Sequence, residues 1–253
     1  MIRGIYSAAS ALIAGLFRQE LISHNLANLQ TAGFKELTTG LDEFGRLPLA
    51  RLPEGAIAGE SGTTVGAVSL GVLTQGAVTN FAAGALRETK QPFDLALSGD
   101  GFFRIQTPDG ERYTRDGRFT RDENGHLVTV DRNLLLDTDG QPLVVPPGEA
   151  AIASKGQITV DGQAVGQIGL ADFVQPDTEL KRDGQNLFAA ADGAPSTAST
   201  ASVHQGFIET SNVDVTRAMA SMMSVARAYE AAQRAIQLQD EMTGKAVNEI
   251  GRV

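Results

Sequence analysis

The sequence contains no cysteine and no tryptophan, and only 6% of its 253 residues are aromatic. Without cysteine the chain can form neither disulfide bonds nor thiolate metal sites, and the absence is neutral about the redox compartment. Runs of lysine and arginine are also missing, and the formal net charge is −9. Because nucleic acids are bound by clustered basic side chains, this composition argues against a nucleic-acid-binding protein.

Candidate catalytic and metal-binding groups are equally scarce. The histidines are His24, His126 and His204, and no His-x-x-x-His pair is present to suggest a helical metal site. The glycines of Gly99–Gly101 precede a strand-like run and not a helix, so we interpret them as a tight turn and not as a dinucleotide site. Asp137–Gly140 resembles part of a calcium loop but lacks the later acidic ligands. We therefore expect no catalytic residue, no metal, no cofactor and no small-molecule substrate.

Long hydrophobic runs are absent as well. The best candidate, Ile5–Phe17, follows Arg3 as the core of a signal peptide would, but it contains polar residues and no small-residue cleavage site follows it. It is also too short to span a bilayer. We expect a chain that is exported, if at all, without a cleaved signal peptide.

What the sequence does contain is helical spacing at both ends. Residues 2–29 and 213–250 are poor in glycine, lack proline and place apolar residues at alternating steps of three and four. Such a narrow stripe is typical of a coiled coil. The two stripes comprise Ile2, Ile5, Ala9, Leu12, Leu16 and Leu26 at the N-terminus, and Val215, Met219, Met222, Ala226, Tyr229, Ile236, Val247 and Ile250 at the C-terminus. We expect the two helices to pack on each other with the β-rich body between them in sequence, which is the plan of an assembling subunit.

The middle of the chain divides in two. Residues 36–92 gain glycine and lose periodicity, so we expect a linker that a partner orders. Residues 93–205 alternate short strand-like runs with turn dipeptides, which is typical of antiparallel hairpins. These dipeptides are Asp109-Gly110, Asp116-Gly117, Asn124-Gly125, Asp139-Gly140, Asp161-Gly162 and Asp183-Gly184. The expected fold class is α+β: helices within residues 1–35 and 206–253 that pair as a coiled coil, with a central antiparallel β-rich domain over residues 93–205.

The end of the first helix has a distinctive sequence. Asn25–Lys35 places two asparagines, a threonine, a glycine, a phenylalanine and a lysine in one compact segment. We expect Gly33 to end the helix in a left-handed backbone conformation. On that basis valine at this position should be harmful, and asparagine should be tolerated better.

The same segment resembles the N-L-A-N-x-x-T-x-G-F-K signature of bacterial flagellar basal-body rod and hook proteins. Further blocks continue the resemblance in order along the chain. They are Pro92–Phe103, Pro108–Gly110, Tyr113–Gly117, Asp122–Thr129, Gly206–Asp214 and Arg227–Glu230. Because the blocks include both ends, the resemblance covers nearly the whole chain. The length is similar to that of the mid-sized rod proteins, proximal or distal, and residues 3–10 look slightly more like the proximal type.

The resemblance implies a structural subunit that polymerises into a tubular drive shaft and transmits motor torque. It implies location in the flagellar basal body, export through the flagellar apparatus without a cleaved signal peptide, and contacts with itself, other rod proteins and hook-side neighbours. The assembly interface that we expect comprises Ile5, Leu12, Leu16, Asn25, Leu26, Asn28, Gly33, Phe34, Asn212, Val213, Met219, Met222, Tyr229 and Ile236.

Two other functions remain as alternatives. A secreted enzyme acting on the cell wall could use acidic pairs such as Asp109 and Glu111, and turnover of cell-wall material would reveal it. An adhesin stalked by a coiled coil would fail to co-purify with basal bodies.

Overall fold

The fold is α+β, as predicted, in a computed structural model that describes residues 2–51, 63–184, 186–191 and 197–250. The chain divides into two compact units. The first unit contains the described parts of Met1–His24, Leu37–Val78 and Val215–Val253. The second contains the described parts of Asn25–Glu36 and Thr79–Asp214.

Helices stand near both ends, within two residues of the predicted boundaries. Helix α1 is Ile2–Ala27, the short α2 is Pro176–Glu179, and α3 is Val215–Ile250. None of the described helices combines the length and the hydrophobicity that crossing a membrane requires. The antiparallel β-rich region between α1 and α3 was also predicted.

The first unit shows a less exposed face on each of its two helices, but not quite the predicted stripes. On α1, Ala14 and Leu21 are buried whereas Leu16 is 52% exposed; on α3, Val225 is buried whereas Met219 is 51% exposed. The buried and half-buried positions of α3 recur mainly at steps of three and four: Val215, Ala218, Ser221, Met222, Val225, Ala226, Tyr229, Ala232, Ala235, Ile236, Gln239, Thr243 and Ala246. The face therefore shares Val215, Met222, Ala226, Tyr229 and Ile236 with the prediction, whereas the predicted Met219 and Val247 are exposed.

A long β-hairpin also belongs to the first unit. Strands β2 (Leu41–Arg51) and β3 (Thr63–Thr74) pair antiparallel within the region predicted to be a linker, after the two-residue strand β1 (Leu37–Thr38). Every residue of β2 is exposed, so the hairpin has no core of its own. One partly buried hydrogen bond joins the hairpin to α1, where the Val72 amide donates to the Ser10 hydroxyl at 3.0 Å.

The second unit is built from short strands, of which β4 starts at Val78, the last residue of that segment of the first unit. Their bounds are β4 Val78–Thr79, β5 Leu86–Glu88, β6 Leu95–Ser98, β7 Phe102–Thr107, β8 Gly110–Thr114, β9 Phe119–Arg121, β10 Leu127–Thr129, β11 Leu134–Leu135, β12 Ala150–Ile152, β13 Gln157–Val160, β14 Gln163–Gln167, β15 Leu170–Asp172, β16 Leu180–Arg182, β17 Phe188–Ala190, β18 Thr197–Ala198, β19 Ser202–Gln205 and β20 Phe207–Glu209. The largest sheet has the order β16-β17-β8-β7-β11-β10-β9, and β7 also pairs with β15. All of these pairings are antiparallel, as turn-linked neighbours require.

The turn dipeptides form the connections that their composition predicts. Asp161 and Gly162 both have positive φ, at 50° and 82°, and they join β13 to β14 as a two-residue hairpin loop. Strand β18 pairs antiparallel with β15.

Apolar side chains of the second unit form two clusters. The larger one gathers residues from most of the strands around Phe103, Ile105 and Leu135. The smaller one is aromatic and contains Phe102, Tyr113, Phe173 and Phe188, with Phe81 packed against it. Its rings meet largely edge to face, as for Tyr113 and Phe173 at 4.9 Å between centroids, which is a favourable arrangement.

Candidate functional site

The segment Asn25–Glu36, called the signature turn below, folds as part of the β-rich second unit. After α1 ends, the amide of Thr31 donates to the Asn28 carbonyl, and the Thr31 hydroxyl donates to Asn28 Oδ1 at 3.2 Å. From Ala32 to Lys35 every residue is buried. The segment therefore lies in the protein interior, whereas an ordinary helix end lies at the surface.

Gly33 has the left-handed conformation that we predicted, with φ of 64°, but it does not end the helix. Helix α1 stops at Ala27, and Gly33 lies in a later turn, where its amide donates to the Glu209 carbonyl at 2.8 Å. A Cβ at Gly33 would overlap the Arg115 carbonyl group and come within 2.5 Å of the Asp116 nitrogen. Any side chain would meet this backbone, so we expect asparagine at this position to be harmful as well.

Two residues after Gly33 the turn contributes a charge to a buried ionic network. Lys35 Nζ lies 2.6 Å from Glu209 Oε1, and Arg115 Nη1 lies 3.3 Å from Glu209 Oε2. The side chains of Lys35 and Glu209 are each 1% exposed, and that of Arg115 is 5% exposed. Further hydrogen bonds come from the Gly84 amide to Glu209 Oε1 and from Lys35 Nζ to the Ala82 carbonyl.

The electrostatic balance of this network is uneven, because two cations face one carboxylate. Burial lowers the pKa of the Lys35 amine, and the neighbouring Arg115 lowers it further, while the Glu209 carboxylate partly offsets both effects. Glu209 is therefore the group that allows two buried cations to coexist. Removing one partner from such a pair leaves an uncompensated buried charge.

A second arginine covers the neighbouring phenylalanine. The Arg182 guanidinium carbon lies 4.5 Å from the centre of the Phe34 ring, and Arg182 Nη1 donates to the Lys35 carbonyl at 3.2 Å. Burial lowers the pKa of Arg182. The amide of the Asn186 side chain also donates to the Ala32 carbonyl at 2.9 Å. Strand β16 and the loop before β17 therefore also bind the signature turn.

Asn212 completes the attachment from the C-terminal side. Its Oδ1 accepts from the Glu36 amide at 2.7 Å, and its Nδ2 donates to the carbonyls of Asn80 and Ala82 at 2.8 and 2.9 Å. Its own amide donates to the Phe34 carbonyl. One side chain thus joins three chain segments that are far apart in sequence. We call the signature turn, β20 and the residues 210–213 that follow it the junction.

The residues predicted for the assembly interface have different surroundings in the two units. In the second unit, Asn25, Gly33, Phe34 and Val213 are buried, and Leu26, Asn28 and Asn212 are half-buried. In the first unit, Ile5, Leu12, Met222, Tyr229 and Ile236 are half-buried, and Leu16 and Met219 are about half exposed. The structure brings Gly33, Phe34 and Asn212 together in the junction.

Sequence reasoning missed Glu209, Arg115 and Arg182. A sequence signal was present for Glu209, because this glutamate directly follows the apolar Phe207 and Ile208 of a strand. The structure shows that its side chain is fully buried. A buried glutamate in a strand needs a cation, and Lys35 after an apolar phenylalanine was a candidate. Nothing local to Arg115 or Arg182 indicated that they would lie beside the signature turn.

The junction is a closed set of ion pairs and hydrogen bonds rather than a reactive site. Lys35, Glu209 and Asn212 all engage neighbouring groups of the chain. Across the part of the chain that the structure describes, no group of three or more histidines and acids is placed to hold a metal ion. The arrangement can hold the signature turn and residues 209–213 together within the β-rich unit.

Three protein-family models match this sequence in the order of its parts. Residues 5–35 match "Flagella basal body rod protein", and residues 96–168 match "Flagellar hook protein FlgE/F/G D1 domain". Residues 204–249 match "Flagellar basal body rod FlgEFG protein C-terminal". The first and last matches include the two sides of the junction.

Individual relatives are similar over almost their whole length. The chain is 36% identical to the flagellar hook-basal body complex protein FlhO of Bacillus subtilis, with all of both chains covered. It is 33% identical to the flagellar basal-body rod protein FlgF of Caulobacter vibrioides, over 96% of this chain and 99% of the relative. It is 32% identical to the flagellar basal-body rod protein FlgG of Bacillus subtilis, over 98% and 99% respectively.

Proposed function

This chain belongs to the flagellar basal-body rod protein family and is a structural subunit of the rod, and from that premise we propose that its terminal helices drive polymerisation. It is not an enzyme, and its place is the flagellar basal body. In the proposed assembly, α1 and α3 pair as a coiled coil that forms the inner layer of a tube. The β-rich unit forms an outer layer, and the tube transmits motor torque.

Two close approaches support the pairing of the helices. A Cβ added to Gly4 would overlap the Gln239 side-chain amide, and one added to Gly15 would lie 3.8 Å from Tyr229 Cδ2. The earlier residue of α1 meets the later residue of α3, which is the order of antiparallel helices. Glycine at the contact lets the helix backbones approach more closely than a larger residue would.

The proposal of polymerisation depends on exposed apolar side chains on the outer faces of both helices. Tyr6 and Ile13 of α1 are 69% and 68% exposed, and Leu238 and Met242 of α3 are 60% and 59% exposed. Large apolar side chains grouped on one face are typical of a surface that another protein covers. In a tube of identical subunits, such faces form contacts that repeat without closing on themselves.

The long hairpin is the other part of the chain that a partner would order. Phe44, Leu49 and Val65 are 58%, 49% and 70% exposed, and β2 has no buried residue. Two-stranded ribbons are marginally stable alone. In the proposed assembly the hairpin packs against neighbouring subunits, which are either copies of this chain or other rod and hook-side proteins. The hydrogen bond from the Val72 amide to the Ser10 hydroxyl keeps the base of the hairpin on α1.

The proposal extends to export. The chain passes through the flagellar export apparatus and keeps its N-terminus, because Gly4 in the first turns of α1 approaches Gln239 and would be needed for the paired helices. Mass spectrometry of the protein from purified basal bodies should detect the N-terminal peptide that contains Gly4. The assignment to the proximal rather than the distal type stays a prediction.

Aspartate on the outer helix face should prevent polymerisation without unfolding the monomer. We expect Ile13→Asp and Leu238→Asp to reduce polymer by about tenfold or more, since burying an unpaired carboxylate among apolar side chains costs several kcal/mol. The matched control is Gln237→Asp, which places the same group on an exposed neighbouring position. Sedimentation of polymer, beside a thermal melt of the monomer, gives both readouts. Normal polymer from Ile13→Asp and Leu238→Asp would contradict the proposal.

Hydrogen exchange should distinguish the residues that are ordered in the monomer from those that become ordered on assembly. In dilute monomer we expect fast exchange over residues 2–24 and 215–250, because a helix with one narrow apolar face is marginal by itself. The amides of Gly33 and Glu36 should exchange slowly even then, since they donate to Glu209 and Asn212 within the β-rich unit. Polymerisation should slow both helices. Equal protection of helices and junction in the monomer would contradict this division.

A further inference from the structure

The side chain of Gln239 on α3 lies against the first turn of α1. A Cβ built on Gly4 would overlap Gln239 Nε2 and would come within 2.9 Å of Gln239 Oε1. The side-chain amide therefore occupies space that is open only because Gly4 has no side chain. At the second glycine of this face the contact is an ordinary one, since a Cβ on Gly15 would lie 3.8 Å from Tyr229 Cδ2.

Gln239 also brings an unpaired polar atom into the inward face of α3. The residue is half-buried, and its Oε1 is buried without a hydrogen-bond partner. In the described part of the first unit, no other buried side-chain oxygen or nitrogen is in this state. The nearby Thr243 hydroxyl donates to the Gln239 carbonyl at 2.8 Å. Because a buried acceptor without a donor lowers stability, a polar residue at position 239 carries a cost.

The first turn of α1 is the part of that helix in which such an acceptor can find donors. The first four backbone amides of a helix have no carbonyl partner within it, whereas the later amides are already used. Helix α1 begins at Ile2, so Gly4 belongs to this first turn. Gln239 Oε1 therefore lies beside the only stretch of α1 that offers backbone donors.

The small residues of the two facing surfaces do little to define one register. Buried or half-buried alanines recur on both helices: Ala8, Ala11 and Ala14 on α1, and Ala218, Ala226, Ala232, Ala235 and Ala246 on α3. Repeated small side chains also meet after a slide of one heptad. Such a slide towards the middle of α1 would place Gln239 opposite Ala11. There the Cβ of Ala11 fills the space, and the backbone amides are bonded within the helix.

We propose that Gln239 fixes the register in which α1 pairs with α3, because its side-chain amide fits only over Gly4 at the first turn of α1. A single polar residue in the seam of a coiled coil specifies register at a cost in stability. The inference rests on the proposed pairing of the two helices and adds which residue defines it.

The register matters for assembly because it aligns the outer faces of the two helices. A slide of seven residues would move α3 by about 10 Å along α1. Ile13 and Leu238, which are exposed on these outer faces, would then change their relative positions. A neighbouring subunit that contacts both helices would no longer find the same surface.

The absence of cysteine from the chain allows the register to be measured by disulfide formation. In the proposed register we expect Ala232 to lie opposite Ala11, one heptad from the contact of Gly4 with Gln239. After a slide of one heptad it would lie opposite Arg18. In assembled polymer, the full chain with Ala11→Cys and Ala232→Cys should form an intrachain disulfide, and the chain with Arg18→Cys and Ala232→Cys should not. Electrophoresis without reductant separates the cyclised chain from the open one.

Gln239→Leu is the main test variant, since leucine has a similar volume and no polar atom. We expect the ratio of the Ala11 disulfide to the Arg18 disulfide to fall by about tenfold or more. The polymer of this variant should nevertheless withstand more denaturant than the polymer with Gln239. Gln237→Leu is the matched control, because Gln237 is exposed on α3 and should leave the ratio unchanged.

The outcomes separate this inference from the proposed function. An unchanged ratio in Gln239→Leu, or an equal change in Gln237→Leu, would overturn the role of Gln239 and leave the pairing of the helices intact. If neither disulfide forms while Gln239 is present, the proposed pairing is wrong and the inference fails with it.

Substitutions at the two glycines test the fit from the side of α1. Gly4→Ala should lower the same ratio by about fivefold or more, because the added methyl group takes the space of the Gln239 amide. Gly15→Ala is the control, since its methyl group would make only an ordinary contact with Tyr229. Equal ratios for the two variants would contradict the fit of Gln239 over Gly4.

Discussion

Replacing Glu209 with glutamine is expected to lower the free energy of unfolding by about 3–5 kcal/mol. Glutamine keeps the size of the side chain but removes the negative charge that lies between Lys35 and Arg115. Both cations would then remain buried with only a neutral amide between them. Urea denaturation of the purified chain at neutral pH, followed by signals from the β-rich unit, measures the loss.

The matched control is Glu111→Gln, which makes the same change in a partly exposed pair. Arg104 Nε lies 2.7 Å from Glu111 Oε1, and their side chains are 21% and 33% exposed. Solvent screens such pairs, so we expect a loss of about 1 kcal/mol or less. A loss at Glu209→Gln no greater than that at Glu111→Gln would show that the buried network does not stabilise the junction.

The loss at Glu209→Gln should also shrink as the pH rises from neutral towards alkaline values. Burial already lowers the pKa of Lys35, and removing the carboxylate removes the main group that opposes this shift. The unfolded chain keeps the ordinary lysine pKa of 10.5. Between the two pKa values the unfolded state binds more protons, so the stability of the variant increases with pH. A loss that is the same at neutral and alkaline pH would indicate a steric effect and not a charge effect.

Replacing Gly33 with alanine is expected to destabilise the chain by about 3 kcal/mol or more. Two effects add: a left-handed backbone at a residue with a Cβ, and overlap of that Cβ with the Arg115 carbonyl group. The backbone of Gly33 cannot move away without breaking its hydrogen bond to the Glu209 carbonyl. Valine should be worse than alanine, and asparagine should not be tolerated. Thermal unfolding of the monomer, with polymer yield beside it, tests this.

Gly162→Ala is the control that isolates the backbone effect. Gly162 also has a positive φ, at 82°, but a Cβ there would meet no atom within 4 Å among the described residues. We expect a loss of about 1–2 kcal/mol, from conformation alone. Equal losses at Gly33 and Gly162 would contradict the close approach between the signature turn and Arg115. Because Gly33 lies inside the β-rich unit, we expect valine there to cause a folding defect and not only a loss of assembly.

Much of the fold could be predicted because its signals are local. Helical spacing located α1 and α3 to within two residues, and turn dipeptides located hairpins such as the one at Asp161-Gly162. Both signals depend on residues that are neighbours along the chain. The β2–β3 hairpin was not predicted, because its exposed strands lack the alternation that a half-buried strand shows.

The registers of the helix faces and the partners in the junction could not be predicted in the same way. The predicted stripes followed the large apolar residues and included Leu16 and Met219, which are about half exposed, whereas the small Ala14 is buried. Which face turns inward depends on the opposing surface. In the junction, Lys35 and Glu209 are separated by most of the chain, and no local pattern joins them.

The sequence by itself determined the class of the protein, the helical ends, the antiparallel middle and the signature turn with its left-handed Gly33. These properties follow from composition, periodicity and the conformational limits of single residues. Only the tertiary structure decided that Arg115 and Arg182 enclose the signature turn and that Glu209 balances two buried cations. It alone also placed the Arg115 guanidinium over the ring of Phe102. Burial and charge pairing depend on which distant segments meet, so they exist only once the chain has folded.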